Sequence, residues 1–216
     1  MKRRAMLILL GVLLAVASAA GTEPPAASQS AAPDVPGAGP AEARPAARYF
    51  TDVILLNQDG EEMRFYTDLL KDKVVVINTI FTTCTGICPV MSRSYLQLQE
   101  HLGDRLGEEV HLISISVDPE NDTPPRLKEF GDRYDRREGW HLLTGKKENV
   151  ELALSKLGQW VDQKDDHTAI VLMGNDRTGL WKKTMGLAPA KELIRLLDSV
   201  LLDKGVDPAG AGGVDD

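Results

Sequence analysis

An α/β sandwich, with a mixed sheet flanked by helices and a β-hairpin at its amino end, is the fold this 216-residue sequence predicts. Three observations carry that reading. Val74-Val75-Val76-Ile77 is a continuous β-branched run, the pattern of a strand buried on both faces. Strand and helix patterns then alternate through the middle of the chain. Two further strands joined by a Gly-rich turn, followed by a last amphipathic run, close it.

Taken in order, Val53 to Leu56 and Met63 to Phe65 flank Asn57-Gln58-Asp59-Gly60, a turn signal, and so form the opening hairpin. Lys73 to Phe81 starts the core sheet. After a loop at Thr82 to Ile87, Pro89 takes the place of a first helical residue. Met91, Tyr95, Leu98 and Leu102 follow at helical steps until Gly103 stops them. A second unit repeats the order: strand His111 to Val117, loop Asp118 to Thr123, and a helix opened by Thr123-Pro124 that runs to Tyr134. Trp140 to Leu143 is a third short strand and Glu148 to Leu157 a third helix. Strand Thr168 to Met173, a turn through Gly174 to Gly179, strand Leu180 to Thr184 and a helix from Pro189 to Leu202 end the series. No internal repeat interrupts it, and the order is the thioredoxin-like arrangement.

The flanks are different material. Lys2, Arg3 and Arg4 precede an apolar run from Ala5 to Val16 and then Ala17-Ser18-Ala19, which reads over residues 1–20 as a signal peptide or membrane anchor. No cysteine lies near the expected cleavage point, so no lipid attachment is expected there. Residues 21–48 hold six of the twelve prolines and no aromatic residue. Such a stretch cannot bury a core and reads as a disordered tether with a reach on the order of 30 Å. A tail from Asp203 to Asp216, rich in Gly, Ala and Asp, is expected to be disordered too. Residues 49–202 are then one domain, long enough to build a core without disulfides. The net charge of −7, with signs interspersed, argues against nucleic acid, which needs a concentrated basic surface. The densest basic cluster, Arg133, Arg136 and Arg137, reads as a solvated helix end.

Chemistry concentrates in Phe81-Thr82-Thr83-Cys84-Thr85-Gly86-Ile87-Cys88-Pro89, past the carboxyl end of the central strand and at the amino end of the next helix, where α/β sheets put their sites. A disulfide across three residues closes so small a loop that it adds little stability, so the pair is better explained by chemistry at sulfur. The helix amino end is expected to lower the thiol pKa of Cys88, and less so of Cys84. Two thiolates suit Cu(I), and an added imidazole makes a three-coordinate site that also accepts Cu(II) with a further ligand. Four histidines are available. His101 sits near a helix end, where it caps carbonyls or answers the dipole; His111 and His141 open buried strands and read as structural. His167 follows Asp165-Asp166 in a loop before a core strand, where an acidic neighbour can orient the ring. These surroundings alone leave its ligand role open.

The chain resembles the Sco/SenC family of copper proteins required for cytochrome oxidase assembly. The resemblance rests on Cys84-x-x-x-Cys88-Pro89 after Val74 to Phe81, on Val117-Asp118-Pro119-Glu120-Asn121-Asp122-Thr123-Pro124, and on Asp166-His167 before the last hairpin. It implies Cys84, Cys88 and His167 as the copper ligands. One departure is Gly86, where many members of the family carry an acidic residue. Asp118 and Asp122 are similar to the family's pair at the strand end, and their plainest reading is as caps of the helix that begins at Pro124.

The first functional expectation is thus an exported copper carrier that delivers to an acceptor such as the two-copper site of cytochrome c oxidase, with another exported carrier as the expected copper donor. An alternative is a thiol-disulfide reductase of the acceptor's cysteines, with Cys84 and Cys88 as the redox dithiol and an outside reductant. A peroxiredoxin-like peroxidase ranks third, because no activating arginine is assigned. The last two readings have no use for His167.

Overall fold

The computed structural model describes residues 45–205. The leader, most of the expected tether and the end of the tail lie outside the described residues. No helix among the described residues is long and apolar enough to cross a membrane.

A five-stranded mixed sheet forms the centre, built from β3 (Val74–Ile80), β4 (Val110–Ser116), β5 (Trp140–Leu143), β6 (Ile170–Asn175) and β7 (Leu180–Met185), after a separate hairpin of β1 (Ile54–Leu56) and β2 (Glu62–Arg64). Its order is β5-β4-β3-β6-β7. The β3–β4 and β4–β5 pairs are parallel, while β3–β6 and β6–β7 are antiparallel. Every residue of β3 is buried, as its β-branched run requires. The sheet is thioredoxin-like and mixed, as the element order predicts.

Among the described residues, five α-helices flank these strands: α1 (Pro45–Tyr49), α2 (Ile87–Leu102), α3 (Pro124–Asp132), α4 (Lys147–Leu157) and α5 (Ala190–Leu201). Side chains alternate faces along a strand, and β6 shows which helix covers which face. The Asn175 amide donates to the Val200 carbonyl of α5 at 3.2 Å, whereas Leu172 shares a cavity wall with Leu157 of α4. α2 lies beside α5, joined by His101 and Asp198 at 3.0 Å. His101 therefore bridges two helices instead of capping its own.

Several boundaries differ from the sequence expectation, β6 running Ile170–Asn175 and α3 ending at Asp132 among them, and two bear on packing and the site. Four residues assigned to the tether, Pro45 to Arg48, belong to α1, because Phe50 just beyond packs on Phe65 and Trp181 and gives the segment something to bury. Helix α2 begins at Ile87, two residues before Pro89. Proline is tolerated there because first-turn N–H groups have no intrahelical acceptor. Trp181 pairs with Gly174, and Gly174 with Val75, so α1 sits at the amino end of β3, the pole opposite the cysteine loop.

The core carries a buried polar chain: Trp140 Nε1–H donates to Ser114 Oγ at 3.1 Å, and Ser114 donates to Asn78 Oδ1 at 2.6 Å. His111 and His141, on neighbouring strands, stack with Nδ1 and Nε2 3.1 Å apart. Both pKa values are pushed down to about 4, chiefly by burial, with His141 and Lys73 acting on His111, and Arg136 and Lys73 on His141. The unfolded chain binds protons to these rings from about pH 6.5 downward, and the folded chain only near pH 4. Their contribution is therefore complete above pH 6.5 and lost as pH falls towards 4. For His111 this amounts to at most about 3 kcal/mol. Urea midpoints at pH 7 and pH 4.5 are expected to differ more in the native chain than in a His111→Gln, His141→Gln variant; equal differences would contradict the assignment.

Candidate metal centre

At the carboxyl end of β3 the chain turns sharply, with the Cys84 N–H donating to the Phe81 carbonyl at 3.1 Å. Cys84 remains in the loop, partly exposed, while Cys88 lies in the first turn of α2 and is fully buried. Both are free thiols. His167 arrives from the other side, directly after a 3-10 turn at Lys164–Asp166 and before β6. Its ring is buried, edge-on to Phe81 with centroids 5.1 Å apart. Its Nε2 lies 3.5 Å from the Cys88 sulfur.

One ligand atom from each of Cys84, Cys88 and His167 lies within 4.8 Å of the others. Two sulfurs and one imidazole nitrogen, so placed, fit a single soft metal ion. The imidazole is set for that use. His167 Nδ1 is 2.7 Å from the Lys164 carbonyl, which only accepts, so Nδ1 is the donor there and Nε2 is the nitrogen turned towards the cysteines. The expected orienting group was an acidic neighbour. Asp165 and Asp166 instead face solvent, because the 3-10 turn folds the Lys164 carbonyl back beneath the ring.

The Cys88 thiol also departs from expectation. Burial pushes it up to about 12, and the neighbouring Cys84 adds to the effect, while a backbone hydrogen bond from Phe81 opposes it. A helix amino end contributes about 0.3–1 kcal/mol, less than one pKa unit. Removal from water outweighs it here. Burial thus favours the thiol form of Cys88, and a metal ion deprotonates a coordinating thiol outright.

Asp118 and Asp122 do not cap α3, whose N-cap residue Thr123 makes no side-chain bond and whose first residue is proline. Asp122, wholly buried, accepts from the Thr82 and Ser116 hydroxyls, both at 2.6 Å, and from the Thr82 N–H at 3.2 Å. Asp118 accepts from Lys164 Nζ at 2.6 Å and from the Asn121 amide at 2.7 Å. Burial alone would raise its pKa, but these donors hold it below the usual carboxylate value. Lys164, Thr82 and Ser116 went unrecognised in the sequence. The only signal for them was the Asp118 to Thr123 motif, which identifies the loop but not what it touches. Gly86 has open space where a side chain would begin, so its lack of an acidic group is not enforced by packing.

A thioredoxin-like domain with two free thiols and an oriented imidazole at the carboxyl edge of its central strand defines a class, the thioredoxin-like proteins equipped to hold a soft metal. The chain belongs to the SCO1/SenC family, whose model matches residues 41–201. It is 36% identical over 129 residues to the SCO1 protein homolog of Bacillus subtilis strain 168, covering 56% of this chain and 65% of that protein. It is 32% identical over 100 residues to a candidate copper-binding protein of Stutzerimonas stutzeri, covering 46% of this chain and 48% of that one. The chain thus spans less than two-thirds of the length of either relative. Among solved structures it is similar to BsSco, a member of the Sco family of cytochrome c oxidase assembly proteins described with a disulfide switch. That match has a TM-score of 0.57 and 29% identity and covers 70% of this chain and 94% of the other.

Proposed function

We propose that this chain is an extracytoplasmic copper carrier that holds one copper ion with Cys84, Cys88 and His167 and hands it to a copper enzyme such as cytochrome c oxidase. The observation that carries the proposal is the convergence of two cysteine sulfurs and the His167 imidazole within 4.8 Å. The description of the Stutzerimonas relative as a candidate copper-binding protein and the assembly role given to BsSco point the same way. Residues 1–20 act as the export signal or anchor, and the residues from 21 up to α1 as the tether from which the folded domain reaches its partners.

Copper here is cargo. Both sulfurs bind as thiolates, their protons leaving to solvent, and the ion would be held on two buried donors with Cys84 at the open edge. Departure then needs no unfolding: an incoming thiolate or imidazole of the acceptor replaces Cys84 first, and the buried donors release last. Three ligands with one accessible edge suit such exchange better than a closed four-ligand cage.

A second reading, reduction of the acceptor's disulfide, is favoured by the two free thiols and the partial exposure of Cys84. The convergence of His167 on the two sulfurs weighs against it, because thiol-disulfide exchange has no use for the imidazole. Mixing the copper-loaded chain with the metal-free, reduced copper domain of an oxidase subunit separates them. The carrier predicts that copper leaves this chain for the acceptor; an acceptor that gains no copper yet has its oxidised form reduced by this chain would establish the reductase instead.

A further inference from the structure

We propose that Asp118 and Asp122 are positioning residues that set the separation between the thiol and imidazole halves of the centre, each aspartate holding one half. The inference rests on the metal-site reading above but is carried by different residues.

Asp122 holds the cysteine half. Its carboxylate is buried and, among the described residues, forms no salt bridge; its hydrogen bonds come from the Thr82 and Ser116 hydroxyls and the Thr82 N–H. Burying a carboxyl group is costly unless it is hydrogen-bonded, and capping, which this residue does not do, would not require burial. Thr82 is the second residue of the turn that ends on Cys84. Gripping it through both backbone and hydroxyl fixes where that turn leaves β3.

Asp118 holds the histidine half through Lys164. The Lys164 ammonium is bound by Asp118 at 2.6 Å, and its carbonyl receives both the His167 Nδ1–H at 2.7 Å and the His167 N–H at 3.2 Å. The residue that orients the imidazole is thereby fixed at both ends. The two arms share one pin. The Ser116 hydroxyl donates to Asp122 and accepts the Asp118 N–H at 2.9 Å, while the Asp122 N–H returns to the Asp118 carbonyl at 2.8 Å. A short loop with such internal bonds moves as one piece, so neither half can shift without working against the other. Sites of this kind need their ligands held within about 0.5 Å.

Amide hydrogen exchange of the metal-free full chain tests the arms separately, because the Cys84 and His167 N–H groups are each hydrogen-bonded within their own half. Asp118→Asn is expected to speed exchange at His167 about tenfold, the loss of one charge-assisted hydrogen bond, and to leave Cys84 unchanged. Asp122→Asn should do the reverse. Lys164→Met and Thr82→Val are milder variants that should reproduce each pattern if an aspartate variant folds poorly. In Cu(II)-loaded protein, Asp118→Asn should weaken the nitrogen hyperfine signal while keeping thiolate charge transfer, with affinity down about 10–100-fold. Equal acceleration at both amides in every variant, or no acceleration at either, would overturn the proposal. A native chain that takes up no copper would sink the carrier reading alone, since the exchange pattern is read without metal.

Discussion

His167→Ala is expected to lower copper affinity by more than about a hundredfold, beyond the 10–100-fold that accompanies loss of an outer partner of a ligand, while Cys84 and Cys88 still form a disulfide with an added oxidant. The imidazole is the only nitrogen donor in the three-residue cluster, and its removal leaves a two-sulfur site. Two thiols close to a disulfide by surrendering two electrons and two protons to the oxidant, a step that uses neither ring nitrogen. Competition against a chelator of known affinity, beside a thiol count before and after oxidation, measures both. Unchanged affinity would remove His167 from the site. The fold should survive the change, because Lys164, whose carbonyl lies beside the ring, remains held by Asp118.

Gly139→Ala is expected to destabilise the domain by about 2–5 kcal/mol, combining a left-handed backbone strain of about 1–2 with overpacking of about 1–3. The residue has φ of +87°, and a Cβ there would sit 2.4 Å from the Gly107 nitrogen and 2.6 Å from its Cα. Neither backbone can yield easily, since the Gly107 N–H donates to Val110 and the Gly139 carbonyl accepts from Leu112 at the entry to β4. Gly158, with φ of +66° and open space around it, is the control: Gly158→Ala carries the backbone strain alone and should cost about 1–2 kcal/mol. Urea unfolding of the three proteins checks this, and equal losses at the two glycines would contradict the close-approach argument.

Much of the fold was legible because periodicity speaks directly to burial. The Val74 to Ile77 run placed the central strand, and Met91, Tyr95, Leu98 and Leu102 placed the face of α2 that became core. The order of elements then located the cysteine loop at the edge of the sheet. What could not be read depends on contacts distant in sequence. The pKa of Cys88 is decided by how completely the fold covers its sulfur, and the local helix end, the only cue in the sequence, is the weaker effect. Asp118 and Asp122 look like helix caps because they precede a helix, yet they turn towards Lys164 and Thr82, which lie 46 and 40 residues away. The acidic pair before His167 looks like its support, but the supporting atom is a backbone carbonyl, which no side-chain pattern can reveal.

Copper stoichiometry and absorption of the reduced, full chain would test the central claim most directly, measured beside Cys84→Ser, Cys88→Ser and His167→Ala. The account predicts one copper per chain, with thiolate-to-Cu(II) charge-transfer bands lost in either serine variant and altered in the alanine variant. Substoichiometric copper in the native chain, or bands indifferent to all three substitutions, would contradict it.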